Sequence, residues 1–178
     1  MLLIGWDEHR ADGHSSRCRS HRSDAQAHLR AAQGALARNL EAIFPIVPVA
    51  NGRAQPIFTI VSVALPLPSH PKEPAPPLTL PSSHLSPGIT VDEESVASAL
   101  GFVALLVDRL ANYLGTRLPY PFTCAGSRSL VKDPISEITG PTRLFPLYSK
   151  GIERYRFEYA VFLLNKNLEL VRRASRLL

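Results

Sequence analysis

Four residues near the start of the chain, His9, His14, Cys18 and His21, are of the types that bind zinc. Their spacing follows no paired-ligand pattern, and the segment has almost no apolar residue from which to build a shell around an ion, so no metal site is expected. Ser127 and Ser129 follow a glycine, but there is no Gly-x-Ser-x-Gly elbow, and no histidine after His84 could act as their base. Neither Gly-x-Gly-x-x-Gly nor Gly-x-x-x-x-Gly-Lys occurs, and Gly126-Ser127-Arg128-Ser129 reads as a hairpin turn rather than an anion cradle. Cys124 lies among Phe122, Thr123 and Ala125, without the basic cluster at a helix start that would lower a thiol pKa, and packing is its expected role. The chain reads as non-catalytic, with no cofactor and no metal.

What remains is contact chemistry. Leu29, Leu36, Leu40 and Ile43 recur at intervals of seven, four and three, an apolar stripe on a helix with no obvious internal surface to cover, and these four are the candidate partner-binding residues. Tyr120 and Phe122, in a segment stiffened by Pro119 and Pro121, together with Lys132, are the candidate membrane contacts, because aromatics beside basic residues suit a lipid interface. Core packing is the stronger reading of the same aromatics, because few apolar surfaces stay unburied in a folded domain. Arg143, Lys150 and Arg154 would each add about 1 kcal/mol of attraction to an anionic leaflet, or are ordinary surface charges. Asn165 and Asn167 are weak helix formers inside a helical run, where they face solvent, cap a neighbouring turn or contact a partner.

The elements that must hold these residues follow from composition and periodicity. With 178 residues the chain holds one domain plus appendages. A net charge of +5 and a pI near 9.6 permit attraction to acidic lipid or nucleic acid without demonstrating either. Two distant cysteines make no disulfide framework and suit a reducing compartment. The longest apolar run, residues 99–107, falls well short of the ~20 residues a membrane span needs, and the first six residues are too short and uncharged for a signal peptide.

Residues 1–22, crowded with His, Arg, Ser and Asp, are expected to be disordered. A helix over residues 23–44, with Ser23 or Asp24 as its cap, ends at Pro45 and Pro48. The β-branched run 57–65 predicts one buried strand. Eleven of the sixteen prolines fall between Pro45 and Pro87, so residues 66–88 read as a Pro-rich loop. Thr90-Val91-Asp92-Glu93 has the form of a capping box, opening a mostly buried helix that Gly115 stops. Residues 118–124 and 129–132 read as short strands joined through Ala125-Gly126. In the last helix Phe157, Val161, Leu164, Leu168 and Val171 form an apolar stripe, flanked by Ile152, Tyr155, Tyr159 and Phe162, a face that must be covered.

Phe145-Pro146-Leu147-Tyr148, followed by Lys150-Gly151 and a helix containing Phe157-Glu158-Tyr159 and Leu163-Leu164-Asn165-Lys166-Asn167, resembles one family in order and spacing. Ala99-Leu100-Gly101-Phe102-Val103, Leu118-Pro119-Tyr120-Pro121 and Gly126-Ser127-Arg128-Ser129 extend the resemblance, which covers residues 40–171. The family is that of the UV-radiation-resistance-associated, Beclin-binding subunits of the class III phosphatidylinositol 3-kinase complex, in their C-terminal domain. The resemblance implies an α+β fold of the Beclin autophagy-related (BARA-like) kind at residues 45–175, preceded by the end of a coiled coil at 23–44. It implies a regulatory adaptor that pairs with a Beclin-like subunit in autophagy and endosomal trafficking, cytoplasmic and peripheral on endosomal or autophagic membranes. Without the family's N-terminal lipid-binding-type domain and most of its coiled coil, the chain is expected to be a fragment or a shortened form. A Barkor-type autophagy-specific subunit is the alternative within the same complex, although that type is expected to carry a C-terminal amphipathic membrane sensor. A basic nucleic-acid-binding module is a further alternative from charge alone, which no recognition motif supports, and no nucleic-acid partner is expected.

Overall fold

The apolar groups of the run from Glu93 to Tyr113 surround most of its circumference, and this helix is the centre of the molecule. The computed structural model describes residues 5–49, 57–65, 93–137 and 143–176. Among them the elements run α1 (Gly5–Ile43), β1 (Ile46–Val49), β2 (Ile57–Ile60), β3 (Val63–Leu65), α2 (Glu93–Tyr113), β4 (Phe122–Thr123), a 3-10 turn (Gly126–Arg128), β5 (Leu130–Lys132), β6 (Leu144–Pro146) and α3 (Arg154–Ser175). The architecture is α+β, with two antiparallel three-stranded sheets ordered β1-β2-β3 and β4-β5-β6.

Helix α2 packs against strands of both sheets, the 3-10 turn and both other helices. Val96, Leu100 and Ala104 join Ala64, Val131, Phe145, Leu147, Phe157, Ala160, Leu163 and Leu164 in the main core, and Val107 and Ala111 meet Val171 in a second cluster. The helix stops where the sequence predicts. Gly115 takes a φ of +64, and its N–H donates to Asn112 (3.1 Å) while that of Thr116 donates to Ala111 (2.8 Å), which satisfies two terminal carbonyls. The capping-box residues before Glu93 and the Pro-rich stretch 66–88 lie outside the described residues.

Three elements differ from the sequence reading. First, the helix begins at Gly5, well before the Ser23 or Asp24 start read from the sequence. No proline interrupts residues 5–43, and a helix satisfies its hydrogen bonds within itself, so low apolar content alone does not exclude it.

Second, residues 57–65 form a hairpin instead of one strand. Ile60 pairs with Val63 across a two-residue turn in which Val61 and Ser62 have φ of 48 and 64. That turn favours Asn and Gly, and neither is present to signal it. The fold imposes it, because doubling back buries both Ile60 and Ala64.

Third, Pro45 ends α1 but Pro48 does not end structure. It lies in β1 opposite Phe58, at the sheet edge, where its missing N–H goes unneeded.

On α3 the buried set is Phe157, Ala160, Leu163, Leu164, Asn167 and Val171. It shares Phe157, Leu164 and Val171 with the predicted stripe but is turned so that Leu168 is exposed and Asn167 fully buried. Both registers have helical spacing, and packing on α2 and the β4-β5-β6 sheet selects between them.

Candidate partner-binding surface

On α1, residues 18–32 are exposed on every side, and Gln33 makes a hydrogen bond to α2. The Gln33 amide donates to the Tyr113 carbonyl (3.0 Å), one of the acceptors left open at the end of α2. Two helical turns further Leu40 is buried, and at the helix end the Phe44 and Phe102 rings lie 6.4 Å apart. These contacts divide the predicted stripe. Leu40 belongs to the domain's own packing, whereas Leu29, Leu36 and Ile43 stay 57%, 40% and 62% exposed.

At 100° per residue the three exposed residues, spaced by seven, lie within roughly 40° of one another, and Leu40 is turned roughly 20–60° from them toward α2. Ala32 and Asn39 fill the alternating positions between them, Ala25 precedes Leu29 at the same spacing, and all three are exposed. That is the spacing of a coiled-coil seam. The apolar strip continues past the helix into β1, where Ile46 and Val47 are exposed, a continuation the sequence reading missed. Its signal was Pro48, which marks an edge strand as readily as a break.

The candidate membrane residues are placed differently from one another. Tyr120 and Phe122 are half-buried and packed against the core, while Lys132 is exposed at the end of β5. Tyr120 is held by Asn167, whose amide donates to the Tyr120 carbonyl (2.6 Å) and accepts from its N–H (3.3 Å). Asn167 is therefore a clasp between α3 and the segment leading to β4, and Asn165 faces solvent.

A second tie joins α3 to the loop after β5. Buried Asp133 accepts from the Tyr159 hydroxyl (2.6 Å) and from the N–H groups of Ile135 (2.9 Å) and Ser136 (3.0 Å). Burial by itself would push this carboxyl up, but the hydrogen bonds from Tyr159, Ser136 and Ile135 outweigh it and hold the pKa at about 2 instead of 3.8. A carboxyl depressed on folding stabilises the native state above its unfolded pKa, and that contribution is lost as pH falls from about 4 through about 2. Asp133→Asn should therefore flatten the acid limb of stability in that window, removing on the order of 2 kcal/mol at neutral pH. Urea denaturation as a function of pH measures it, and an unchanged acid limb would refute the assignment.

Among the described residues no group of His, Cys, Asp and Glu is arranged to hold a metal ion, and no helix is long and apolar enough to cross a membrane. Cys18 and His21 are exposed on α1; the side chains of His9 and His14 lie outside the described set. Cys124 is exposed, with its thiol pushed up by partial burial and then by the Asp108 carboxylate, which weakens it as a nucleophile. An open groove of about 820 Å³ runs between Ala37 of α1, Leu110 and Leu114 of α2, and Leu168 and Val171 of α3.

No family model matches the chain. Among curated proteins it is 46% identical over 82 residues to the mouse UV radiation resistance-associated protein (UVRAG). Over this stretch the chain is similar to UVRAG. It is also 38% identical over 78 residues to vacuolar protein sorting-associated protein 38 of Schizosaccharomyces pombe, and 37% identical over 75 residues to the UV radiation resistance-associated gene protein of Drosophila melanogaster. These matches take in 46%, 44% and 42% of the chain but only 12%, 16% and 11% of the three relatives. The chain thus corresponds to a small part of each.

Proposed function

We propose that the chain is a non-catalytic regulatory subunit of a class III phosphatidylinositol 3-kinase complex. In this reading α1 pairs with the coiled coil of a Beclin-like subunit, residues 45–175 form a BARA-like domain, and the assembly serves autophagy and endosomal trafficking on the cytoplasmic face of membranes. Similarity to UVRAG and to the vacuolar sorting protein supports membership of the complex. The observation that carries the pairing is the heptad-spaced face of Leu29, Leu36 and Ile43, left exposed on a helix that is anchored to the domain on its neighbouring side.

The test separates the two sides of α1. Leu29→Asp with Leu36→Asp puts charges into the exposed seam and should weaken capture of a Beclin-like protein about a hundredfold, with unchanged circular dichroism and thermal stability. Leu40→Asp instead buries a charge against α2, and should destabilise the domain by about 3 kcal/mol or more. Unchanged affinity of the folded seam variant would remove α1 as the pairing surface.

A further inference from the structure

Arg172-Arg173-Ala174-Ser175, at the end of α3, places two guanidinium groups three and two residues before a hydroxyl. Nowhere else in the sequence do arginines precede a serine or threonine at both of those positions. This is the charge pattern read by arginine-directed serine kinases, whose carboxylates pair with the planar forks beside the bound hydroxyl. The groups point outward. Arg172, Arg173 and Ser175 are exposed, and among the described residues the ion pairs of α3 are Arg154 with Glu158 and Lys166 with Glu169, which leave both arginines unengaged by a carboxylate.

A kinase takes its acceptor segment in extended form, so the helix must open here without unfolding the domain. Val171, 5% exposed against Val107 and Ala111, is the last core residue of α3. Beyond it only Ala174 is half-buried, and the Ser175 hydroxyl donates within its own turn to the Arg172 carbonyl (3.1 Å). Terminal turns open more readily than the body of a helix. Ser20 supplies the contrast. It is exposed too, with Arg17 three residues and Arg19 one residue before it, but it lies inside α1 with helix on both sides. Presenting Ser20 in extended form means breaking α1 in two.

We propose that Ser175 is a phosphorylation site for an arginine-directed serine kinase that uses ATP. The Ser175 oxygen attacks the γ-phosphorus, and an O–P bond forms as the bond from that phosphorus to the bridging β,γ-oxygen breaks. ADP leaves, and the hydroxyl proton passes to the kinase's carboxylate base. The consequence falls on the groove between the three helices, of which Ser175 is a wall residue. Its two charged lining residues, Glu169 and Arg172, cancel, so a phosphate that adds about −1.5 to −2 at neutral pH leaves the groove anionic. The site is separate from the seam of Leu29, Leu36 and Ile43.

The test incubates the folded full chain with the catalytic subunit of cyclic-AMP-dependent protein kinase and magnesium ATP, and maps phosphate by mass spectrometry of the peptide released after Glu169. About one phosphate per chain is expected, on Ser175. Ser175→Ala should lower incorporation about tenfold or more, and Arg172→Gln with Arg173→Gln, which keeps the acceptor, should lower kcat/KM about a hundredfold, both with unchanged circular dichroism. The seam variant Leu29→Asp with Leu36→Asp should be phosphorylated at the parental rate. Absence of phosphate from Ser175, incorporation confined to Ser20, a rate indifferent to loss of both arginines, or modification of Ser175 only after heat unfolding would each overturn the proposal.

Discussion

Replacing Gly101 by alanine is expected to cost about 3 kcal/mol of stability, and by valine to prevent folding. Gly101 lies in the buried face of α2, where the helix meets the 3-10 turn. A Cβ added there would overlap the Gly126 carbonyl oxygen and stand 2.8 Å from its carbonyl carbon. Backbone cannot yield as a side-chain tip can, and this stretch is tied down. Gly126 has a φ of +56, its carbonyl accepts from the Ser129 hydroxyl (2.8 Å) and N–H (3.3 Å), and the same hydroxyl accepts from the Ala125 N–H (3.0 Å). Helix and turn must therefore separate, opening the core on both sides. The urea midpoint should fall with an unchanged slope. An alanine variant within about 0.5 kcal/mol of the parent would show that the turn can move.

Asn167→Ala should destabilise the chain by about 2–4 kcal/mol, since it leaves the Tyr120 N–H and carbonyl buried without their partner. Asn167→Asp should be worse at neutral pH. It replaces the donor facing the Tyr120 carbonyl by an acceptor and adds a charge to a fully buried site. Hydrogen exchange at the Tyr120 amide supplies the local readout, and both variants should lose protection there while amides in the middle of α2 follow only the global change. If the alanine variant were as stable as the parent, the clasp would be ornamental to the fold.

Gly101 and Gly126 both belong to short motifs that carry the family resemblance, but nothing in their sequence spacing shows that they touch. Asn167 is a similar case. In the sequence it is one of two asparagines in a helical run, with solvent, a neighbouring turn and a partner all open to it. Its neighbour Asn165 does face solvent. The difference is a rotation of α3, which trades Leu168 out for Asn167 in, and periodicity alone permits either because both sets recur at helical spacing. The aromatics were divided by the same packing, with Tyr120 and Phe122 against the core and Tyr155 and Phe162 outside.

Local chemistry determined the α+β class, the buried helix that ends at Gly115, the hairpin through Ala125-Gly126, the long last helix and the stop at Pro45. In these places the signal is the residue's own constraint: glycine's freedom at positive φ, proline's missing N–H, an apolar face too wide to be solvated. Only tertiary structure decided that residues 57–65 turn at Val61 and Ser62, against their local preference, because burial of Ile60 and Ala64 outweighs the strain of the turn. It also decided that Leu40 leaves the stripe it shares with Leu29, Leu36 and Ile43. All four lie within one broad face of α1, so no pattern along the chain separates them. Contact with α2, from a segment fifty residues or more away in sequence, removes Leu40 from water and leaves the other three exposed.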